Sequence, residues 1–225
     1  MNVVVADELA LRDAVIATAR EMNALGINRG KSGNVSARWQ VPDFDGYLIT
    51  PSGMPYADIG TGDIVAMPVD RDADGARGPR LPSSEWRFHR DIYRARPDAS
   101  AIVHTHAPFA TSLACLHRGI PAFHYMVAVA GGKDIRCAPY ATFGTQALSD
   151  HAVAALEGRT ACLLANHGAI SVGATLAAAL ALGVEVETLA EMYWRALQVS
   201  APVLLSDAEM DVVVTKFRTY GQRER

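Results

Sequence analysis

The sequence predicts an α/β fold, with helices packed on the faces of a mixed or mostly antiparallel sheet. Three observations lead there. Short apolar runs rich in strand-forming residues are interleaved with helical stretches along the chain. They follow no strict βαβ rhythm, and several neighbouring runs are close enough to be hairpins. Half of the 225 residues are hydrophobic, enough for one sizeable core. No repeat, low-complexity segment or linker divides the chain, so residues 1–225 read as a single domain.

Taken in order, Asp7 to Leu25 is an amphipathic helix, with Leu9, Val15, Ile16, Ala19 and Met22 at helical spacing and Gly26 as its stop. "GKSGNVSARW" is a glycine turn entering a short alternating run. Tyr47 to Thr50 is a strand that breaks at Pro51 and Gly53, and Asp63 to Pro68 is another. Asp70 to Arg80 is a polar loop, read as a long hairpin tip. Ser84 to Arg94 is helical and ends before Pro97. "SAIVHTHAPF" is a strand with a polar end at His104 to His106, followed by a turn at Pro108 and a helix to Leu116. "IPAFHYMVAVAGG" and "IRCAPYATFGT" read as extended and loop-rich. Ser149 to Glu157 is a helix, and "TACLLANHGAISVG" is two strands around a turn at Gly168. Thr175 to Leu197 and Asp207 to Phe217 are the last helices, leaving the tail "RTYGQRER".

The bulk chemistry excludes some functions. Lys plus Arg number 21 and Asp plus Glu 24, a net charge of −3, which argues against broad nucleic-acid binding. Cys115, Cys137 and Cys162 form no C-x-x-C pair and read as free, mostly buried thiols of a reducing cytosol. Acids at Asp7 and Glu8 precede any base, unlike a secretory leader, and "ATLAAALALGV" is too short to span a bilayer. The expectation is a soluble, cytoplasmic protein with no membrane or nucleic-acid partner.

Chemistry concentrates in two stretches. His104 and His106 lie two apart at a strand end, where period-two alternation puts both imidazoles on one face. His167, in "LLANHGAI", stands at another strand end. Three such histidines can converge on one cation and leave a position open. Zinc suits imidazole, as do cobalt, nickel and iron. An H-x-H pair alone is also met in ordinary strands, and N-H-G can be a plain turn. His89, His117, His124 and His151 are left as surface or core residues. In "SSEWRFH", Ser83 or Ser84 can cap the helix, and the same terminus suits an anion. Glu85 falls in the first turn, where the helix dipole stabilises its charge. "SGN" (Ser32 to Asn34) and "TPSG" (Thr50 to Gly53) are further turns of a type that cradles phosphate. No Walker-type motif is present.

Together and in order, "GNVSARW", "LITPSGMPY", "LPSSEWRFH", "IVHTHAPFATSLA", "FHYMVAVAGG", "CAPYATFGT", "LLANHGAI" and "KFRTYG" resemble the zinc-dependent class II aldolase/adducin family, in particular its L-fuculose-phosphate aldolase branch. The likeness runs from about Leu11 to Tyr220. It implies a three-layer α/β/α domain with a largely antiparallel sheet, assembled as a cyclic homotetramer. It implies Zn2+ held by His104, His106 and His167, with Glu85 touching the metal when substrate is absent and acting as general acid/base. Asn34, Ser52, Gly53, Ser83 and Ser84 match phosphate-binding positions. Tyr125 and Tyr220 match tyrosines that reach the site from a neighbouring subunit. From the residues alone, both tyrosines would read as interface packing. Asn166 stands where the branch carries histidine, and Ser52 where it carries threonine.

The implied reaction is reversible cleavage of a ketose 1-phosphate, of the L-fuculose 1-phosphate type, to dihydroxyacetone phosphate and a small aldehyde such as L-lactaldehyde. Zinc would stabilise the enediolate, Glu85 would move a proton beside the metal, and Tyr125 would exchange one with the C4 oxygen. Tyr220 would help close the site. Within the family the alternatives are an aldolase for 5-deoxyribulose or methylthioribulose 1-phosphate, an L-ribulose-5-phosphate 4-epimerase, or a non-catalytic adducin-like module. Retention of all three histidines and Glu85 speaks against the last.

Overall fold

The structure is a computed structural model that describes residues 7–217. Seven strands form one sheet in the order β3-β2-β1-β4-β7-β6-β5. They are β1 (Asn34–Val41), β2 (Phe44–Ile49), β3 (Val65–Pro68), β4 (Ala101–Thr105), β5 (Arg136–Ala138), β6 (Ala161–Leu164) and β7 (Gly168–Gly173). Only the β5–β6 pair is parallel. The mixed, mostly antiparallel sheet read from the sequence is therefore present.

The helices are α1 (Glu8–Ala24), α2 (Trp86–Ala95), α3 (Pro108–Cys115), α4 (Gln146–Ala155), α5 (Leu176–Val199) and α6 (Asp207–Phe217). They cover both faces. Val15, Leu113 and Val186, from α1, α3 and α5, pack with Val35 and Val103 of the sheet. Phe88, Ile92, Leu148 and Ala152, from α2 and α4, pack with Ile49, Ile102 and Ile170. Consecutive residues of β4 thus enter opposite cores, Val103 one and Ile102 the other, as strand geometry requires. Covering both faces leaves β4 buried throughout, so it reads as an apolar run instead of a clean alternation.

Several boundaries moved for local reasons. α4 starts three residues before the expected Ser149, because the Thr145 hydroxyl caps it by accepting from the Leu148 amide at 3.3 Å. α5 is capped likewise by Thr175, at 3.0 Å from the Ala178 amide. "YMVAVA", expected to be extended, is a 3-10 helix (Tyr125–Ala130). His124 caps it, Nδ1 accepting from the Met126 amide at 3.3 Å. α2 begins at Trp86, which places Glu85 at the cap position itself and not inside the first turn. The cysteines are free, but only Cys162 is fully buried; Cys115, at the end of α3, is exposed. Among the described residues, no helix is long and apolar enough to cross a membrane.

Candidate active site

The site forms where the registers of three strands coincide. His104 of β4 pairs with Asn34, the first residue of β1. On its other side β4 pairs Thr105 with Ala169 of β7, next to the turn that carries His167. His106 follows the end of β4. The turn Asn166–His167 needs a left-handed residue, and Asn166 supplies it at φ +53°. The predicted convergence of the three histidines holds. Their ring centroids lie 4.9–5.0 Å apart with planes 75–83° to one another, and one nitrogen from each falls within 4.8 Å of the others.

Packing holds these rings in place. His104 Nδ1–H donates to the Ala169 carbonyl at 2.9 Å, which turns Nε2 toward the cluster. The backbone N–H of His106 donates to Asn28 Oδ1 at 3.1 Å. Burial, reinforced by the neighbouring His104 and His167, pushes His106 down to about 4, so its imidazole is neutral at ordinary pH. Two glycines permit the approach. A Cβ on Gly168 would lie 2.3 Å from the Thr105 carbonyl oxygen and 3.0 Å from His106 Cδ2. One on Gly33 would lie 2.4 Å from the His104 carbonyl oxygen.

Glu85 reaches the same point from the opposite element. Its Oε2 is 3.1 Å from His104 Nε2 and its Oε1 is 3.1 Å from His167 Nε2. The residue is 4% exposed. Burial disfavours its charge, but the His104 and His167 rings outweigh burial and hold the carboxyl below the ordinary carboxylate range. Oε1 is buried and, apart from this 3.1 Å contact with His167, has no hydrogen-bond partner among the described residues. Three imidazole nitrogens and an orphaned carboxylate oxygen form a donor set that a divalent transition cation fits. The residues that would hold it are His104, His106, His167 and Glu85.

The expected phosphate positions are drawn together in part. An antiparallel bridge joins Pro51 to Pro82, with the Ser52 amide donating to the Leu81 carbonyl at 3.0 Å and the Ser83 amide to the Thr50 carbonyl at 3.1 Å. The Ser52–Gly53 turn therefore lies beside the Ser83–Ser84 segment. Gly53 has φ +72°, and Lys31 Nζ donates to its carbonyl at 2.8 Å. The hydroxyls of Ser52 and Ser84 are exposed, whereas Ser83 is buried and its Oγ accepts from the Glu85 amide at 3.3 Å. Asn34 is buried, and one of its Nδ2 hydrogens goes to Glu85 Oε2 at 2.9 Å. Tyr125 is 51% exposed and does not line the pocket of its own chain. Tyr220 lies outside the described residues.

A pocket of about 310 Å³ opens on this cluster. Ser32 and Ser84 give it hydroxyls, Glu85, His106 and His167 give it chemistry, and Tyr140, Ala141 and Phe143 give it an apolar wall. The wall was missed in the sequence, where "CAPYATFGT" shows no periodicity to mark it. Asn28 and His89 were missed too, since an isolated polar residue gives no sign of its distant partner.

Comparison with known proteins agrees with the geometry. Residues 13–194 match the family described as Class II Aldolase and Adducin N-terminal domain. The 5-methylthioribulose-1-phosphate/5-deoxyribulose-1-phosphate aldolase of Rhodospirillum rubrum is 59% identical over 214 residues, covering 95% of this chain and 93% of that protein. The L-fuculose phosphate aldolase of Escherichia coli K12 is 50% identical over 210 residues, covering 93% and 94%. A solved structure titled L-fuculose 1-phosphate aldolase superposes with a TM-score of 0.86 at 40% identity, covering 93% of this chain and 96% of that one. With its sheet, its histidine cluster and these relatives in agreement, the chain belongs to the class II aldolase/adducin family and is an enzyme of the class II aldolase type.

Proposed function

We propose that the chain reversibly cleaves a ketose 1-phosphate whose far end lacks a hydroxyl, giving dihydroxyacetone phosphate and a small aldehyde. L-fuculose 1-phosphate, 5-deoxyribulose 1-phosphate and methylthioribulose 1-phosphate all have that form. The observation that carries the reading is the pocket lining: hydroxyl side chains, the three-histidine and Glu85 cluster, and the apolar wall of Tyr140, Ala141 and Phe143 share one cavity. The apolar wall supports a methyl or methylthio terminus, which gains by leaving water. The names of the relatives, methylthioribulose/deoxyribulose and fuculose phosphate aldolases alike, support the same class.

In this reading Zn2+ held by His104, His106 and His167 would supply Lewis acidity toward the substrate's ketone oxygen. Ser52, Gly53, Ser83 and Ser84, with Asn34, hold the phosphate. As the C3–C4 bond breaks, its electron pair passes to C3 and the C4 hydroxyl gives up its proton. Tyr125, reaching the site from a neighbouring subunit of a homotetramer, relays that proton, its phenol accepting it as its own proton passes to solvent; its exposure in the single chain suits such a role. Glu85, ionised at rest, takes up a proton from solvent and delivers it to C3, completing dihydroxyacetone phosphate. Tyr220 closes the aldehyde side.

The test is a kinetic comparison of L-fuculose 1-phosphate, 5-deoxyribulose 1-phosphate, methylthioribulose 1-phosphate and ribulose 5-phosphate on one metal-loaded preparation, with products read by NMR. Dihydroxyacetone phosphate should be released from the first three. Its absence from every ketose 1-phosphate, or faster epimerisation of ribulose 5-phosphate, would overturn the reading.

A further inference from the structure

Behind Glu85 runs a buried line of polar side chains, of which the proposed reaction uses only Asn34 at its near end. Asn34 Nδ2 donates to Glu85 Oε2 at 2.9 Å, and its Oδ1 is 2.5 Å from His89 Nε2. His89 Nδ1 is 2.7 Å from Ser36 Oγ, which lies 2.8 Å from the Tyr93 hydroxyl. Ser36 and His89 have no exposed surface, and Asn34 and Tyr93 have 2% each. Phe88 stacks on the His89 ring at 4.6 Å and Tyr47 at 6.4 Å, excluding water from it.

Donor and acceptor counting fixes every direction in this line. Asn34 turns its amide nitrogen to Glu85 Oε2, which leaves its oxygen, an acceptor only, for His89. His89 must then donate from Nε2. Burial pushes His89 down to about 3, so the ring is neutral and Nδ1 is an acceptor. Ser36 therefore donates to Nδ1 and accepts from Tyr93. Desolvation raises the Tyr93 hydroxyl above its ordinary value, so it keeps its proton. Each bond polarises the next toward the carboxylate.

We propose that His89 is a positioning residue for the reaction: through Asn34 it fixes Glu85 Oε2, leaving Oε1 as the oxygen that moves the proton. Among the described residues Oε1 is the carboxylate oxygen without a hydrogen-bond partner, and it faces His167 on the pocket wall. Rigid anchoring of one oxygen sets the direction of the other's lone pairs, and loss of such alignment costs rate before it costs binding. The inference rests on the proton role proposed for Glu85.

The first test needs no turnover. In protein labelled with 15N at histidine, a long-range 1H–15N spectrum reads which ring nitrogen is protonated, with His89 assigned from the signal lost in His89→Gln. Neutral His89 with the proton on Nε2 is expected; a proton on Nδ1, or on both nitrogens, overturns the proposal. The second test is kinetic, with the ketose 1-phosphate cleaved fastest in the comparison above. His89→Leu should lower kcat roughly 10- to 100-fold, with KM and bound metal per chain unchanged. His89→Gln, whose amide can still donate to Asn34, should recover most of that loss. In an Asn34→Ala background His89→Leu should cost nothing further. Equal losses in the Gln and Leu variants, or additive losses with Asn34→Ala, overturn the proposal. Should His89→Leu fail to fold, Ser36→Ala decides, since it removes the donor that sets the tautomer: unchanged kcat there overturns the proposal. Glu85→Gln separates the two claims. Full turnover in that variant sinks the Glu85 reading and this inference together. A slow Glu85→Gln beside a fast His89→Leu sinks only the inference.

Discussion

Gly168 is a point of failure for the histidine cluster, although it has no side chain. Replacing it by alanine puts a methyl group 2.3 Å from the Thr105 carbonyl oxygen, 3.0 Å from His106 Cδ2 and 3.2 Å from His104 Cε1. Ordinary contact begins near 3.4 Å, so the backbone of β4 and the start of β7 must part by about 1 Å. The nearest obstacle is a backbone oxygen inside a paired ladder, with Thr105 opposite Ala169, so no rotamer change can relieve it. Overpacking of this sort costs about 1–3 kcal/mol, which for a chain of this length lowers Tm by roughly 2–4 °C per kcal/mol. The larger effect falls on the ligands. The displaced strand carries His104 and leads into His106, and disturbing the groups that orient metal ligands weakens affinity about 10- to 100-fold. Gly168→Ala should therefore melt several degrees early and give up its metal to a chelator at correspondingly lower concentration. Chelator competition followed by elemental analysis measures the second effect and calorimetry the first. Wild-type metal affinity with wild-type Tm would refute the claim that this glycine is required by the approach of the strands.

Glu85→Gln should keep its fold and metal content near normal while turnover falls about 10²- to 10⁴-fold; wild-type turnover in stopped assays would contradict its proton role. His106→Ala should lose bound metal and activity together, and elemental analysis showing one metal per chain would count against the three-histidine assignment. Glu187 of α5 accepts from the amides of Phe109 and Ala110, both at 2.8 Å, closing the start of α3 just beyond His106. Glu187→Ala should cost about 1–2 kcal/mol in urea unfolding, as loss of a helix cap does, and an unchanged midpoint would dismiss that anchor. Acid should also weaken the metal-free protein through its buried histidines. His89 and His106 sit at about 3 and about 4 in the fold against an ordinary 6.5. The unfolded chain therefore binds more protons below 6.5, and the stability these groups give above 6.5 is lost as pH falls through the folded values. Tm at pH 5 should be below Tm at pH 7, and an equal or higher value would show that these rings are not held neutral by the fold.

Much of the fold was legible because its signals are local. The apolar spacing of Leu9, Val15, Ile16, Ala19 and Met22 marks α1 without reference to any other element, and all but Leu9, which is 61% exposed, are buried. The expected and observed bounds of α1 differ by one residue at each end. "IVHTH" showed as a strand with two imidazoles on one face, and the rings lie 5.0 Å apart. The bounds that slipped depended on side-chain caps, such as Thr145 on α4 and His124 on the 3-10 turn, where one hydrogen bond decides between helix and loop. Glu85 could be placed near a helix start, but only the fold shows it at the cap with its carboxylate turned toward His104 and His167.

The sequence by itself determined the chemistry available here: three imidazoles at strand ends, one carboxylate at a helix start and hydroxyl-bearing glycine turns. Such properties follow from residue type and short-range spacing. Tertiary structure alone decided which of them meet. The pairing of Asn34 with His104, the placement of His167 by the β4–β7 register and the burial of His89 behind Asn34 join residues far apart in the chain. Register is set by packing summed over the whole sheet, because a slip of one residue would turn every side chain to the other face. No local stretch carries that sum. The Asn34 carboxamide shows the difference: its turn reads as a phosphate cradle, and the fold commits one of its hydrogens to Glu85.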